Sequence, residues 1–518
     1  MLSRVLESLE SLLKVIVLCV LLIGFVFAVK SYTVDSEIWS ISLSQFLLQP
    51  DAMHDGVYSK PIFHLLLDVL FLFPFSNLQH VIAAKTLFAL NAVALVYFSF
   101  RTYVAVSSKK SLLPVCLTLL VLITNPLWLA ESFRIRSDLL AMTFTMAMLS
   151  YALRRDENGE LQIVFSKSVV ALLVASLLTT PKSLVWNLPL MGFALLQLRP
   201  IFAADEKLKR GLKRALVAVI ILVVALLVSV DFIYNGYMAA LEHFIRGIER
   251  ASSFGDAPWI VDWFFMLDSL KAMPLYWLMF AGGLLAAPIL LIQQGRRLEF
   301  RLVMALWVFV LGFVVYSPKL YFFMTACLPL FALSLVFVFE SFRLNSKAAA
   351  VLTLALLVNF GCWSRFLFPM HEGASTYQLI EDIELFLDKQ PARIFDSMGL
   401  LPRADNVLAY FSEADRRSNT WGVWRVLSGK PDFILHTARL KTFWPKLQPA
   451  LLDSDFVEVQ PDIWLLHSNK SLMAAAEKIH GQITQVREPG ELFGQRLHCL
   501  AVSTTPYMRW DFSGLHCF

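Results

Sequence analysis

Long apolar runs, almost free of charge, recur over the first two thirds of this chain, and few folds can accommodate them. A helix that crosses a bilayer needs roughly 17–25 mostly apolar residues. Eleven stretches come near that requirement: 12–29, 81–100, 112–129, 138–153, 167–180, 183–198, 215–232, 272–292, 302–316, 320–341 and 348–366. Lipid solvates such segments directly, and a helix satisfies its own backbone hydrogen bonds there. Composition agrees. Hydrophobic residues make up 57% of the 518 and charged residues only 16%, where a soluble domain carries about 25% charge. The expected fold class is a polytopic α-helical membrane protein of about eleven spans, with a soluble α/β domain at its C-terminal end.

The run at 12–29 reads as a signal anchor and first span. It is longer than the apolar core of a cleaved signal, and no small-x-small site follows it. Orientation comes from Lys and Arg, which favour cytoplasmic loops. With the N-terminus inside, those loops hold Arg101, Lys109 and Lys110, then Arg154, Arg155 and Lys167. The next three hold 199–214, with six basic residues, then Arg296, Arg297 and Arg301, then Arg343 and Lys347. The net charge of +5 is accounted for in this way. No basic face with interleaved aromatics appears, so nucleic acid is not an expected partner.

The expected membrane domain is 1–367, with a long extracytoplasmic loop at 30–80. Within that loop, 38–48 and 62–73 are half-apolar and read as interfacial helices. A second long outer loop runs over 233–271. From 368 to 518 the apolar runs shorten and Asp, Glu, Pro and Arg become frequent. Strand-like segments fall at 392–396, 433–435, 456–459 and 463–466, with helix-like stretches at 377–387 and 471–480. Cys19, Cys116, Cys327 and Cys362 lie in apolar runs and read as small core residues. Cys499 and Cys517 lie in the polar part, where an oxidising compartment would allow them to pair.

Charge on the outer side gathers at the ends of spans. Asp35 and Glu37 follow the first span, and Asp55 and Lys60 lie in the first loop. Glu131, Arg134, Arg136 and Asp138 separate the third and fourth spans, and Lys182 separates the fifth and sixth. Glu242, His243 and Arg246 follow the seventh, and Lys319 separates the ninth and tenth. Each alone reads as an interfacial residue reaching for water. As a set on one side they suggest a site, because ionisable residues near lipid are costly unless paired or used. Fixed cations would stabilise a phosphate that gains charge as its bond to a sugar breaks. A carboxylate within reach of an acceptor hydroxyl could take its proton.

Five ordered segments resemble bacterial GT-C glycosyltransferases of the protein-mannosyltransferase-like and lipid A aminoarabinose transferase-like group. They are Asp35-Ser-Glu37-Ile-Trp-Ser-Ile, Ser59-Lys60-Pro61-Ile-Phe-His64, Arg134-Ile-Arg136-Ser-Asp138-Leu-Leu, Leu241-Glu242-His243-Phe-Ile-Arg246 and Ser317-Pro-Lys319-Leu320-Tyr. Thr179-Thr-Pro181-Lys182 is a weaker sixth. The likeness spans about 10–340 and has Ser59 where some members carry an acidic residue.

The resemblance implies an inverting transferase in the bacterial inner membrane with its site and C-terminal domain on the periplasmic side. A polyprenyl-phosphate sugar would be the donor, and a lipid, glycan or protein outside the cytoplasm the acceptor. Asp35 would be the catalytic carboxylate, with Glu37 a second candidate. Lys60, Arg134, Arg136, Lys182, Arg246 and Lys319 would hold the donor phosphate, supported by Asp138 and Glu242. If a divalent metal takes part, His243 and Asp55 are its candidate ligands. The alternative is a non-catalytic polytopic protein: a transporter, an envelope-assembly scaffold or a degenerate relative. A transporter would normally show internal repeats and charges near the bilayer midplane, and neither is visible in the sequence.

Overall fold

The structure is a computed structural model that describes residues 2–29, 60–108, 111–157, 159–204, 264–315, 321–342, 346–367, 381 and five short strands between 394 and 466. The expected span 215–232, the segment 38–48, the stretch 471–480 and Cys499 and Cys517 lie outside the described residues. So does 377–387, apart from residue 381.

The membrane part is helical. α1 spans Leu2–Val29, α2 Pro61–Asp68, α3 Asn77–Val106, α4 Leu113–Ile123, α5 Pro126–Glu131 and α6 Ser137–Ala152. A hairpin of β1 (Leu153–Arg155) and β2 (Leu161–Ile163) leads to α7 (Lys167–Thr179) and α8 (Leu184–Ala204). Then come α9 (Phe264–Ala272), α10 (Pro274–Gln293), α11 (Arg297–Val315), α12 (Tyr321–Ser341) and α13 (Ser346–Leu367). Among the described residues three helical segments are long and apolar enough to cross a membrane: Asn77–Val106, Pro274–Gln293 and Phe323–Ser341. The chain is therefore a polytopic helical membrane protein.

Local chemistry sets the helix ends. Ser76 accepts from the Gln79 N–H, and the Gln79 side chain returns to the Ser76 N–H, a reciprocal cap that starts α3. Such a cap satisfies two donors that the first turn leaves open. Ser166 caps α7 by accepting from the Val169 N–H alone. Pro61 and Pro274 stand at the first helical position, where the missing N–H costs nothing.

Among the described residues, one expected span is interrupted. The run at 112–129 is not continuous; α4 stops at Ile123 and α5 begins at Pro126. Pro126 has no N–H to continue the ladder and its ring would collide with the preceding turn. Asn125 restarts the helix by accepting from the Leu127 N–H at 2.9 Å. The hairpin at 153–163 was also not legible as strand. Its three-residue strands are too short to show a period of two.

Burial follows an inside-out logic. On α10, Tyr276, Trp277, Phe280, Gly283, Leu284, Ala287 and Leu291 are buried, while Leu275, Leu278, Leu285, Ile289 and Ile292 are exposed. Both faces are apolar because one meets protein and the other meets lipid. α12 is buried on all sides and packs against α3, α4, α5, α6 and α10, so it forms the centre of the bundle. Cys116 and Cys327 are buried as expected, but Cys19 and Cys362 are exposed. A cysteine in a lipid-facing stripe is as well solvated as one in the core, so an apolar run alone does not assign its face.

α10 and α12 approach closely at Gly283. A Cβ added at Gly283 would stand 2.7 Å from Ser334 Oγ and 2.8 Å from Leu335 Cδ2. Small residues allow such contacts between helices in lipid. Gly283→Val is expected to cost about 1–3 kcal/mol through overpacking, read as a lower Tm of the purified protein in detergent. Gly282 has nothing within 4 Å of an added Cβ and supplies the control. Equal shifts for Gly283→Val and Gly282→Val would show that this contact does not matter.

Two polar ends bracket the apolar bundle. At one, Arg296 donates to Glu340 at 2.7 Å and to Glu299 at 3.1 Å, and Arg155 reaches Glu299 at 3.1 Å. Ser108 N–H donates to Glu340 there, and Leu112 N–H to Glu10. Arg155 and Arg296 thus meet at the same end, as the distribution of basic residues requires. At the other end lie Thr124, Leu127, Asp138 and Lys182, joined by Tyr276 to Thr124, Thr325 to Leu127 and Lys182 to Asp138.

Past the bundle, β3 (Ile394–Asp396), β4 (Val407–Leu408), β5 (Phe433–Leu435), β6 (Phe456–Gln460) and β7 (Ile463–Leu466) form one sheet in the order β4-β3-β5-β7-β6. β3 runs parallel to β4 and β5, while β7 is antiparallel to β5 and β6. Four of these strands fall where the sequence places them; the two-residue β4 carries no readable pattern.

Candidate functional site

The Asp138 end gathers the charges. α5 closes with Glu131, a short turn carries Arg134 and Arg136, and α6 opens with Ser137 and Asp138. Arg136 sits at the N-cap of α6 in extended backbone. Asp138 lies in the first turn of α6, where the helix dipole favours a carboxylate. From the next helix pair, the turn Pro181–Ser183 brings in Lys182. Proline at 181 ends α7 and sets that turn.

The charged groups are withdrawn from solvent. Arg134 Nη1 donates to both Glu131 oxygens, at 2.8 and 3.0 Å, and both residues are buried. Lys182 Nζ lies 3.3 Å from Asp138 Oδ2; Asp138 is buried, and 28% of the Lys182 side chain is exposed. Arg136 is also buried. Lys60 is the N-cap of α2, and its Nζ stands 5.8 Å from the centre of the Phe63 ring. α2 packs against α7, the helix that leads into the Lys182 turn.

Of the expected site residues, the structure joins Asp138 with Lys182 and sets Arg134 and Arg136 in the turn before Asp138. Asp35, Glu37, Asp55, Glu242, His243, Arg246 and Lys319 lie outside the described residues. Among the described residues no group of three His, Cys, Asp or Glu stands close enough to hold a metal. Lys60, Arg134, Arg136 and Lys182 outnumber Glu131 and Asp138, so the positive excess favours an anion.

Solved structures of ArnT from Cupriavidus metallidurans resemble this chain. One is the apo state, at 15% identity, and one is bound to undecaprenyl phosphate, at 14%. For each the TM-score is 0.42, with 76% of this chain and 74% of that chain covered. No family model and no curated protein matches the chain.

Two features of the same half of the bundle escaped the sequence reading. His64 and Asp68 on α2, and His80 and Lys85 on α3, are all buried. His80 packs on Phe71, with ring centres 4.2 Å apart. Lys85, a cation inside an apolar run, was the available signal. The second is a buried polar chain beneath Asp138. Thr145 Oγ1 donates to Asn187 Oδ1 at 3.1 Å and lies 3.0 Å from Ser176 Oγ, while Trp186 Nε1 donates to Thr145 Oγ1 at 3.0 Å. Asn187 Nδ2 donates to Ser176 Oγ at 2.9 Å. These bonds tie α6, α7 and α8 together directly below the Asp138–Lys182 pair.

Just above this chain, three buried oxygens are not matched. Asp138 Oδ1, Thr180 Oγ1 and Ser183 Oγ have no hydrogen-bond partner among the described residues. A buried polar atom left in that state costs about 1–3 kcal/mol.

Proposed function

We propose that this protein is an integral-membrane glycosyltransferase that moves a sugar from a polyprenyl-phosphate carrier to an acceptor outside the cytoplasm. The observation that carries the reading is the buried charged cluster at the Asp138 end, where Arg134, Arg136 and Lys182 converge with Glu131 and Asp138. Buried ions are costly unless paired or used, and here, among the described residues, three cations face two carboxylates, whereas at the other end Arg155 and Arg296 are balanced by Glu299 and Glu340. The ordered motifs around Asp35, Lys60, Asp138, Arg246 and Lys319 support the same reading.

In this mechanism the donor enters sideways from the lipid. Lys60, Arg134, Arg136, Lys182, Arg246 and Lys319 supply the cations for its phosphate. Asp35 takes the proton of an acceptor hydroxyl, whose oxygen then attacks the anomeric carbon. The bond from that carbon to the phosphate oxygen breaks with inversion. Polyprenyl phosphate leaves with the electron pair, and the cations stabilise the added negative charge. Stabilisation that grows towards the transition state is what speeds the reaction. The protein lies in the bacterial inner membrane with this site on the periplasmic side, and 368–518 form a periplasmic domain beside it.

The test is binding in lipid nanodiscs. Undecaprenyl phosphate is expected to bind saturably, and Lys60→Ala and Arg136→Ala are each expected to weaken it about tenfold, the size of one lost charge-assisted hydrogen bond. Absence of saturable binding to the wild-type protein would remove the proposal.

A further inference from the structure

Thr145, Ser176 and Asn187 come from three helices, α6, α7 and α8, and close one ring of hydrogen bonds inside the bundle. Asn187 joins the other two. Its Oδ1 accepts from Thr145 Oγ1 at 3.1 Å, and its Nδ2 donates to Ser176 Oγ at 2.9 Å. Thr145 Oγ1 also accepts from Trp186 Nε1 at 3.0 Å, and Ser176 Oγ donates to the Ala141 carbonyl at 2.9 Å. The side chains of Thr145, Ser176, Trp186 and Asn187 are fully buried. The donors run in one direction, from Trp186 through Thr145 to Asn187, and from Asn187 through Ser176 to the α6 backbone.

Apolar packing alone leaves a helix in lipid free to choose its rotation, because bilayer and protein interior are equally apolar. A satisfied polar ring removes that freedom. Turning any of the three helices would leave buried donors and acceptors unmet. The ring also sits where orientation matters. The bond between Ser176 and Asn187 joins residues 11 apart. The segment it closes holds the last turn of α7, the turn Pro181–Ser183 and the first turn of α8, with Lys182 at its middle. On α6, Thr145 stands about two turns beyond Asp138 on nearly the same face. Fixing Thr145 against Ser176 and Asn187 thus fixes the two backbones from which Asp138 and Lys182 meet, at 3.3 Å. Of that pair Asp138 is buried and Lys182 is partly exposed, so the ammonium is the member open to a ligand.

We propose that Thr145, Ser176 and Asn187 are positioning residues that hold Lys182 in place for the donor phosphate. This assignment rests on the polyprenyl-phosphate reading above. The three lie too deep in the protein to touch the lipid themselves, and they act through the turn that carries Lys182.

Binding of undecaprenyl phosphate to the full-length protein in nanodiscs tests it. Lys182→Ala is expected to weaken binding about tenfold, the size of one lost charge-assisted hydrogen bond. Asn187→Leu opens the ring without changing Lys182 and is expected to weaken binding by a similar factor. The double variant Asn187→Leu/Lys182→Ala should bind no worse than Lys182→Ala alone. Two independent effects would instead multiply, to about a hundredfold. Thr145→Val opens the ring from the α6 side and should repeat the Asn187→Leu result, so the outcome does not hang on one variant folding. Thr145→Ser keeps the hydroxyl and should bind as the wild type does. Trp307→Phe is the control. It removes the 3.1 Å bond from Trp307 Nε1 to Leu284 O between α11 and α10, and it should leave affinity unchanged. The positioning role is overturned if Asn187→Leu and Thr145→Val bind like the wild type, if the double variant loses the full product, or if Trp307→Phe weakens binding equally. Wild-type affinity in Lys182→Ala would show that Lys182 does not hold the phosphate, and the positioning role falls with it. Failure of the wild type to bind at all identifies the transferase reading itself as the error.

Discussion

Asp35→Asn is expected to slow sugar transfer by about 10²- to 10⁴-fold, the usual contribution of a positioned general base. An amide of nearly the same shape cannot take a proton from the acceptor hydroxyl. The phosphate cations stay in place, so affinity for undecaprenyl phosphate should not change. That split between rate and binding separates loss of chemistry from loss of folding. The measurement is single-turnover transfer from radiolabelled polyprenyl-phosphate sugars in proteoliposomes, with membrane insertion checked in parallel. Glu37→Gln provides the comparison, since Glu37 is the second carboxylate of the same segment. A wild-type rate for Asp35→Asn would remove Asp35 as the base. If Glu37→Gln alone lost transfer, the role would move two residues along the chain.

The second large effect is on stability. Arg134→Met is expected to destabilise the bundle by about 3–5 kcal/mol, because it strips the guanidinium from a buried carboxylate while leaving that carboxylate in place. Arg134 Nη1 reaches Glu131 Oε2 at 2.8 Å, and only 8% and 2% of the two side chains are exposed. Little water is therefore available to replace the lost charge. Pairing the change with Glu131→Gln removes both ions and should recover most of the loss, since a neutral pair has no such desolvation cost. Thermal unfolding in detergent of the two single variants and the double variant gives the coupling directly. If the double variant is no more stable than Arg134→Met, the ion pair is not the source of the effect.

The candidate site was partly legible. A charge beside an apolar run is conspicuous in a sequence, so Lys60, Arg134, Arg136, Asp138 and Lys182 could be picked out one by one. Their partners could not. Asp138 and Lys182 are 44 residues apart and meet through the packing of α6 against the turn after α7. Of the buried set His64, Asp68, His80 and Lys85, only His64 falls in a segment that the resemblance marks, and the sequence does not show that the four are buried together in one half of the bundle. Thr145, Ser176 and Asn187 looked like isolated polar residues in three different spans until the structure joined them.

The helices were set by the sequence, because their causes are local. A hydrophobic run fixes where a helix can cross lipid, and a cap or proline fixes where it ends. The fourth span was expected at 138–153 and α6 runs over Ser137–Ala152; the fifth was expected at 167–180 and α7 runs over Lys167–Thr179. Tertiary structure decided which face of each helix looks inward. Lipid and protein interior are equally apolar, so the sequence of a span carries little mark of its orientation about its axis. Cys19 and Cys116 sit in similar runs, yet one faces out and the other in. Asp138, Thr180 and Ser183 likewise read as separate polar residues, and only the packed bundle buries all three.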